Sequence, residues 1–175
     1  MLYVFVEGID DKRFCSCFFD KNEIADYIEY ASDKKEKTNN FIKSIKSIPC
    51  MDYLLFADAD GRTIEQTKQY IKSLYRDVDI EKIIVVQYEI ESWYYAGLNK
   101  TNHDKMKIKR YVYDTNDLTK EMFNAKLPKP SERIYYMQQI LNCFCVQEAR
   151  LRNHSINRFF DVIEKQTGEF NKAVC

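Results

Sequence analysis

Short apolar runs that alternate with helix-spaced stretches constrain this chain more than any other feature. Leu2-Tyr-Val-Phe-Val6, Tyr53-Leu-Leu-Phe-Ala57 and Ile83-Ile-Val-Val86 within Lys82 to Gln87 are unbroken, with β-branched and aromatic residues, as expected of strands buried on both faces. Ala25 to Ala31 predicts a further strand, interrupted by Asp26 and Glu29. Between these runs lie three predicted helices. The first is capped by Asp10 or Asp11 and ends near Asp20. The second, Lys34 to Ile48, carries Phe41, Ile42, Ile45 and Ile48 at helical spacing. The third, Thr63 to Tyr75, places Ile64, Thr67, Ile71 and Leu74 on one face. The order β-α-β-α-β-α-β over residues 2–87 predicts an α/β fold, a mostly parallel four-stranded sheet flanked by helices.

Beyond Trp93 the alternation stops. Residues 99–113 are polar and basic. Helical patterns return at Asp117 to Leu127, after a cap at Ser131, and at Ile156 to Gln166, with the stiff stretch Lys126-Leu-Pro-Lys-Pro130 between the first two. No internal repeat or long linker is present, so residues 98–175 read as a C-terminal helical extension packed on a core of residues 1–97. The chain has 175 residues, with 27 Lys plus Arg against 27 Asp plus Glu, which excludes a broadly polybasic binder but allows a local basic groove. No apolar run reaches the roughly 18 residues needed to span a bilayer. Leu2 to Val6 is too short for a signal peptide, so a cytoplasmic protein without membrane contact is expected. The six cysteines, Cys15, Cys17, Cys50, Cys143, Cys145 and Cys175, include no C-x-x-C pair and read as free thiols, with zinc held by the two C-x-C pairs as the minor alternative. His103 and His154 lack metal-ligand spacing.

Acidic residues follow three of the predicted strands: Glu7 after the first, Asp58 and Asp60 after the third, and Glu89 and Glu91 after the fourth. In an open parallel sheet, ligands bind beyond the carboxyl ends of the strands. Carboxylates gathered there repel one another unless a cation neutralises them, and hard oxygen donors suit Mg²⁺ or Mn²⁺. In an extended segment Asp58 and Asp60 project to the same side, and Gly61 lets the chain turn. Any single acid at such a place is more often a helix cap than a ligand.

Val4-Phe-Val-Glu7-Gly8-Ile-Asp-Asp11, followed by Leu55-Phe-Ala-Asp58-Ala-Asp60-Gly61, resembles the Toprim family of topoisomerases, primases, ribosomal-RNA-maturing ribonucleases and overcoming-lysogenization-defect nucleases. The resemblance covers roughly residues 1–97. It implies Glu7 as general acid or base and metal contact, Gly8 as the glycine keeping the turn open, and Asp58 and Asp60 as the metal-binding Asp-x-Asp. Asp11 falls where many members carry an acid at the helix start, read first as a cap. Tyr88-Glu-Ile-Glu91-Ser-Trp93-Tyr resembles a segment of stand-alone Toprim proteins in predicted defence nucleases, implying Glu91 as a further metal ligand, with Glu89 a poorer candidate and Trp93 as packing. The chain lacks room for topoisomerase gate domains and has no P-loop, so any partner ATPase would be another polypeptide.

The implied activity is Mg²⁺- or Mn²⁺-dependent hydrolysis of DNA or RNA. Lys105, Lys107, Lys109 and Arg110, with Arg150, Arg152 and Arg158, are the candidate phosphate contacts. Alternation in Lys105-Met-Lys-Ile-Lys109 predicts three lysines on one face of an extended segment, either tracking a backbone or protecting an edge strand. Two other readings remain. Asp58-Ala-Asp60-Gly61-Arg-Thr63 also resembles the nucleophile loop of haloacid-dehalogenase phosphatases, with Asp58 as the nucleophile, although Arg62 displaces the threonine. The other is a non-catalytic Toprim-like module that binds nucleic acid or protein.

Overall fold

The computed structural model describes residues 1–19, 22–30 and 34–167; the expected element ends at Asp20 and Ala31, and Cys175, lie outside the described residues. The chain divides into two compact units, Met1–Val86 and Gln87–Cys175, so the division precedes the boundary at residue 97 expected from the sequence.

In the first unit the strands are β1 (Leu2–Val6), β2 (Ile24–Glu29), β3 (Asp52–Asp58) and β4 (Ile83–Val86), all parallel and in the order β2-β1-β3-β4. The helices are α1 (Ile9–Cys15), α2 (Lys35–Lys46) and α3 (Ile64–Leu74). Odd-numbered positions Phe5, Tyr53, Leu55, Ala57, Ile83 and Val85 form one core with Ile42 and Ile45 of α2 and Ile71 of α3. The alternate positions Val4, Val6, Leu54, Phe56, Ile84 and Val86 are buried as well. Burial on both faces is why these runs are unbroken. β2 is an edge strand and half-exposed, which accommodates Asp26 and Glu29.

The connections explain the layering. β2 to β3 and β3 to β4 cross the sheet in one sense, so right-handed crossovers put α2 and α3 on the same face. β1 to β2 runs the other way, sending α1 to the opposite face. Asp11 does not occupy the N-cap: at the third helical position its Oδ2 accepts the Gly8 N–H at 2.8 Å, while Asp10 pairs with Arg13. Thr63 caps α3, its hydroxyl accepting the Gln66 N–H at 3.2 Å.

The second unit contains α4 (Glu91–Ala96), α5 (Lys100–Lys105), α6 (Lys120–Lys126), α7 (Arg133–Asn142), α8 (Val146–Arg152) and α9 (His154–Thr167). Pro130 opens a 3₁₀ turn, Pro130–Glu132, ahead of α7, so Ser131 lies inside that turn and caps nothing. A buried polar network organises this unit. The Arg152 side chain, 1% exposed, donates to the carbonyls of Tyr113, Ala96, Leu98 and Val112 at 2.6–2.9 Å. The rings of Tyr95, Tyr111 and Tyr113 surround its guanidinium. Asn153 Nδ2 donates to Thr115, and the fully buried Trp93 donates from Nε1 to the Ser155 hydroxyl at 2.7 Å. Among the described residues no helix is long and apolar enough to cross a membrane.

Candidate active site at the strand ends

Parallel pairing aligns the carboxyl ends of β1, β2 and β3, and the side chains just beyond them meet. Glu7 follows β1. Its Oε1 accepts the backbone N–H of Asp58, the last residue of β3, at 3.1 Å. Residues 51 positions apart are thereby joined. Tyr30 follows β2, its backbone N–H donating to the Val6 carbonyl at 3.1 Å. Its hydroxyl lies 3.1 Å from the same Glu7 Oε1 and also donates to the Phe56 carbonyl. The ring of Tyr75 packs edge-on against it at 5.8 Å.

β3 ends at Asp58, although the Ala59 N–H still bonds the Val86 carbonyl at 2.9 Å. The chain then turns, with Asp60 at φ 49° and Gly61 at φ 79°. The expected sharp turn at Gly61 is present. The extended alternation expected through Asp60 is not, because Asp60 itself adopts the left-handed conformation. Its carboxylate is largely exposed, with Arg62 Nη1 3.8 Å away. Arg62 also stacks over Tyr70 at 4.3 Å.

Although Glu7 stands at an exposed strand end, partial desolvation of its carboxyl by the surrounding atoms pushes it above the usual glutamate range, and the nearby negative charge of Asp60 adds to the rise. The hydrogen bonds from the Asp58 N–H and from Tyr30 oppose it. One hydroxyl proton serves two acceptors at Tyr30, so its support for a charged Glu7 is partial. Burial and contact with Glu7 drive the Tyr30 hydroxyl well above the ordinary tyrosine range. Glu7 Oε2 has no hydrogen-bond partner among the described residues.

The other predicted residues lie in the second unit. Glu91 is 2% exposed and ion-pairs with Arg133. Glu89 Oε2 accepts the Lys120 N–H at 2.6 Å, anchoring the first turn of α6. Trp93 is core, as its sequence context implied. Among the described residues, no group of three or more His, Cys, Asp or Glu side chains is gathered closely enough to hold a metal ion. Glu7, Asp58 and Asp60 are therefore not a preformed cage. Their chemistry nonetheless fits a hard divalent cation, because all three are oxygen donors.

The basic segment differs from expectation. Lys105 ends α5, and Lys107 sits at φ 55°. The Ile108 N–H reaches back to the His103 carbonyl at 3.2 Å and the Lys107 N–H to the Asp104 carbonyl at 3.0 Å, with Ile108 buried. This is a Schellman cap with lysine where glycine is usual. The helix end, not an extended strand, thus sets the direction of these lysines. Arg152 is withdrawn as a phosphate contact by its burial, and Arg150 is held by Asp161 and Glu164. Tyr30 carried no sequence signal beyond a tyrosine at a strand end. Comparison with protein-family models, curated proteins and solved structures finds no match for this chain.

Proposed function

We propose that the Met1–Val86 unit hydrolyses nucleic-acid phosphodiesters with a Mg²⁺ or Mn²⁺ ion, Glu7, Asp58 and Asp60 being its carboxylates. The observation carrying this reading is the bond from the Asp58 N–H to Glu7 Oε1, which sets the Glu7 carboxylate against the backbone of Asp58 at the adjacent strand end. Such a bound ion would neutralise the phosphate and stabilise the attacking and leaving oxygens. Asp58 and Asp60 would hold it, with Glu7 beside them. Glu91, engaged by Arg133, is left out of this set. Glu7 would move the proton: Oε1 is tied to Asp58 and Tyr30, while Oε2 is free to accept. Tyr30 fixes the orientation of that carboxyl.

Labelled DNA and RNA oligonucleotides, incubated with the full chain and Mg²⁺ or Mn²⁺, should be cut, and EDTA should abolish cutting. Glu7→Gln should lower the rate about 10²–10⁴-fold. No cleavage of any oligonucleotide would contradict the reading, as would a phosphoaspartate trapped at Asp58.

A further inference from the structure

Exposed helix faces in a chain with 31% charged residues normally carry Lys and Glu. α7 does not. After Arg133 its sequence is Ile-Tyr-Tyr-Met-Gln-Gln-Ile-Leu-Asn, with no charged side chain. Met137, Ile140 and Leu141 face the core. Tyr135, Tyr136, Gln139, Asn142 and the following Cys143 recur at helical spacing on another face and line a cleft of about 440 Å³. Across the cleft stand Asn102, Lys105, Met106 and Lys107, from α5 and its cap. The volume falls within the range of small-molecule sites.

The composition of the walls is specific. Tyr135 is 54% exposed, and the ring of Tyr136 packs against it nearly perpendicular at 5.5 Å, steadying an aromatic face turned to solvent. Gln139, Asn142 and Asn102 offer amides, each both donor and acceptor. Lys105 and Lys107 form no ion pair among the described residues, so no carboxylate neighbour neutralises them. Lys107 keeps its place despite the left-handed backbone that glycine would adopt without strain. A flat aromatic surface, neutral amides and unneutralised cations match a base with its phosphate. A rigid duplex hides its base faces, so stacking of this kind requires an unpaired strand.

We propose that the cleft between the end of α5 and α7 binds single-stranded nucleic acid, one base stacking on Tyr135, its edge meeting the amides, and the flanking phosphates meeting Lys105 and Lys107. The inference rests on the nucleic-acid reading above and narrows its substrate to unpaired strands.

Binding is measured separately from cleavage, by fluorescence anisotropy in EDTA with a labelled 12-nucleotide single strand, the matching duplex and free AMP as competitor. The single strand should bind at least about tenfold more tightly than the duplex. Tyr135→Ala should weaken it about tenfold, with Tyr135→Phe restoring affinity to within about threefold of wild type because the stacking face returns. Lys105→Ala should weaken it less, with the deficit shrinking as salt rises. Equal affinity for strand and duplex, an unchanged Kd in Tyr135→Ala, or AMP displacing the strand at equal concentration would overturn the proposal. Tyr135-dependent binding without any metal-dependent cleavage would keep the cleft and remove the nuclease. Cleavage with Tyr135-independent binding would do the reverse.

Discussion

The two units are built on different physics. Met1–Val86 is organised by apolar periodicity: alternate residues of its strands fill opposite faces of one sheet, and polar groups are pushed to the strand ends. Gln87–Cys175 is organised around a buried cation and amide, with Arg152 and Asn153 tying backbone carbonyls from distant segments together. Apolar burial tolerates small errors of geometry because it is non-directional. A buried guanidinium does not, because each unsatisfied group is costly. The first unit therefore leaves its acidic side chains at the strand ends, while many of the polar side chains of the second are structural.

Breaking the polar centre should give the largest effect. Arg152→Met leaves four carbonyls without their donor, and the loss should reach about 4 kcal/mol in urea-induced unfolding, as large as an apolar truncation in the first unit's core. A loss below about 1 kcal/mol would erase the contrast between the units. Lys107→Gly sharpens it from the other side. Glycine at φ 55° relieves the left-handed strain, offset in part by added freedom of the unfolded chain, so a gain of about 0.5–1 kcal/mol is expected. Destabilisation instead would show that the lysine side chain itself supports the fold.

The smallest effect concerns the strand ends. Folding raises the pKa of Glu7, so the protonated form is favoured in the native state. Its contribution to stability is fully present below the unfolded value near 4.5 and is lost as pH rises through the higher folded value. Glu7→Gln, measured in EDTA, should therefore gain on wild type as pH climbs from below 4.5 to neutrality. If wild type gains on the variant instead, folding favours the carboxylate.

What the sequence made legible follows the same division. β1, β3 and β4 were readable because two-sided burial leaves unbroken apolar runs, and the all-parallel sheet followed from the intervening helical spacing. Strand-end placement pointed to the contact of Glu7 with the Asp58 backbone N–H, whereas the expected gathering of carboxylates is not formed among the described residues. Tyr30 did not, since its role arises only when the end of β2 comes beside β1. Helix α8 was missed because Val146 to Arg152 is short and lacks a side-chain cap. The extended reading of Lys105 to Lys109 failed because a lysine, not a glycine, ends α5, removing the usual stop signal. Arg152 looked like a surface cation because charge alone does not reveal four carbonyls converging on it.

Anomalous diffraction from crystals soaked in Mn²⁺ tests the central claim most directly. The strand-end account predicts a manganese peak within about 2.5 Å of carboxylate oxygens from Glu7, Asp58 or Asp60, at least two of the three sharing it. Full manganese occupancy elsewhere, with these three carboxylates left without metal, would contradict it.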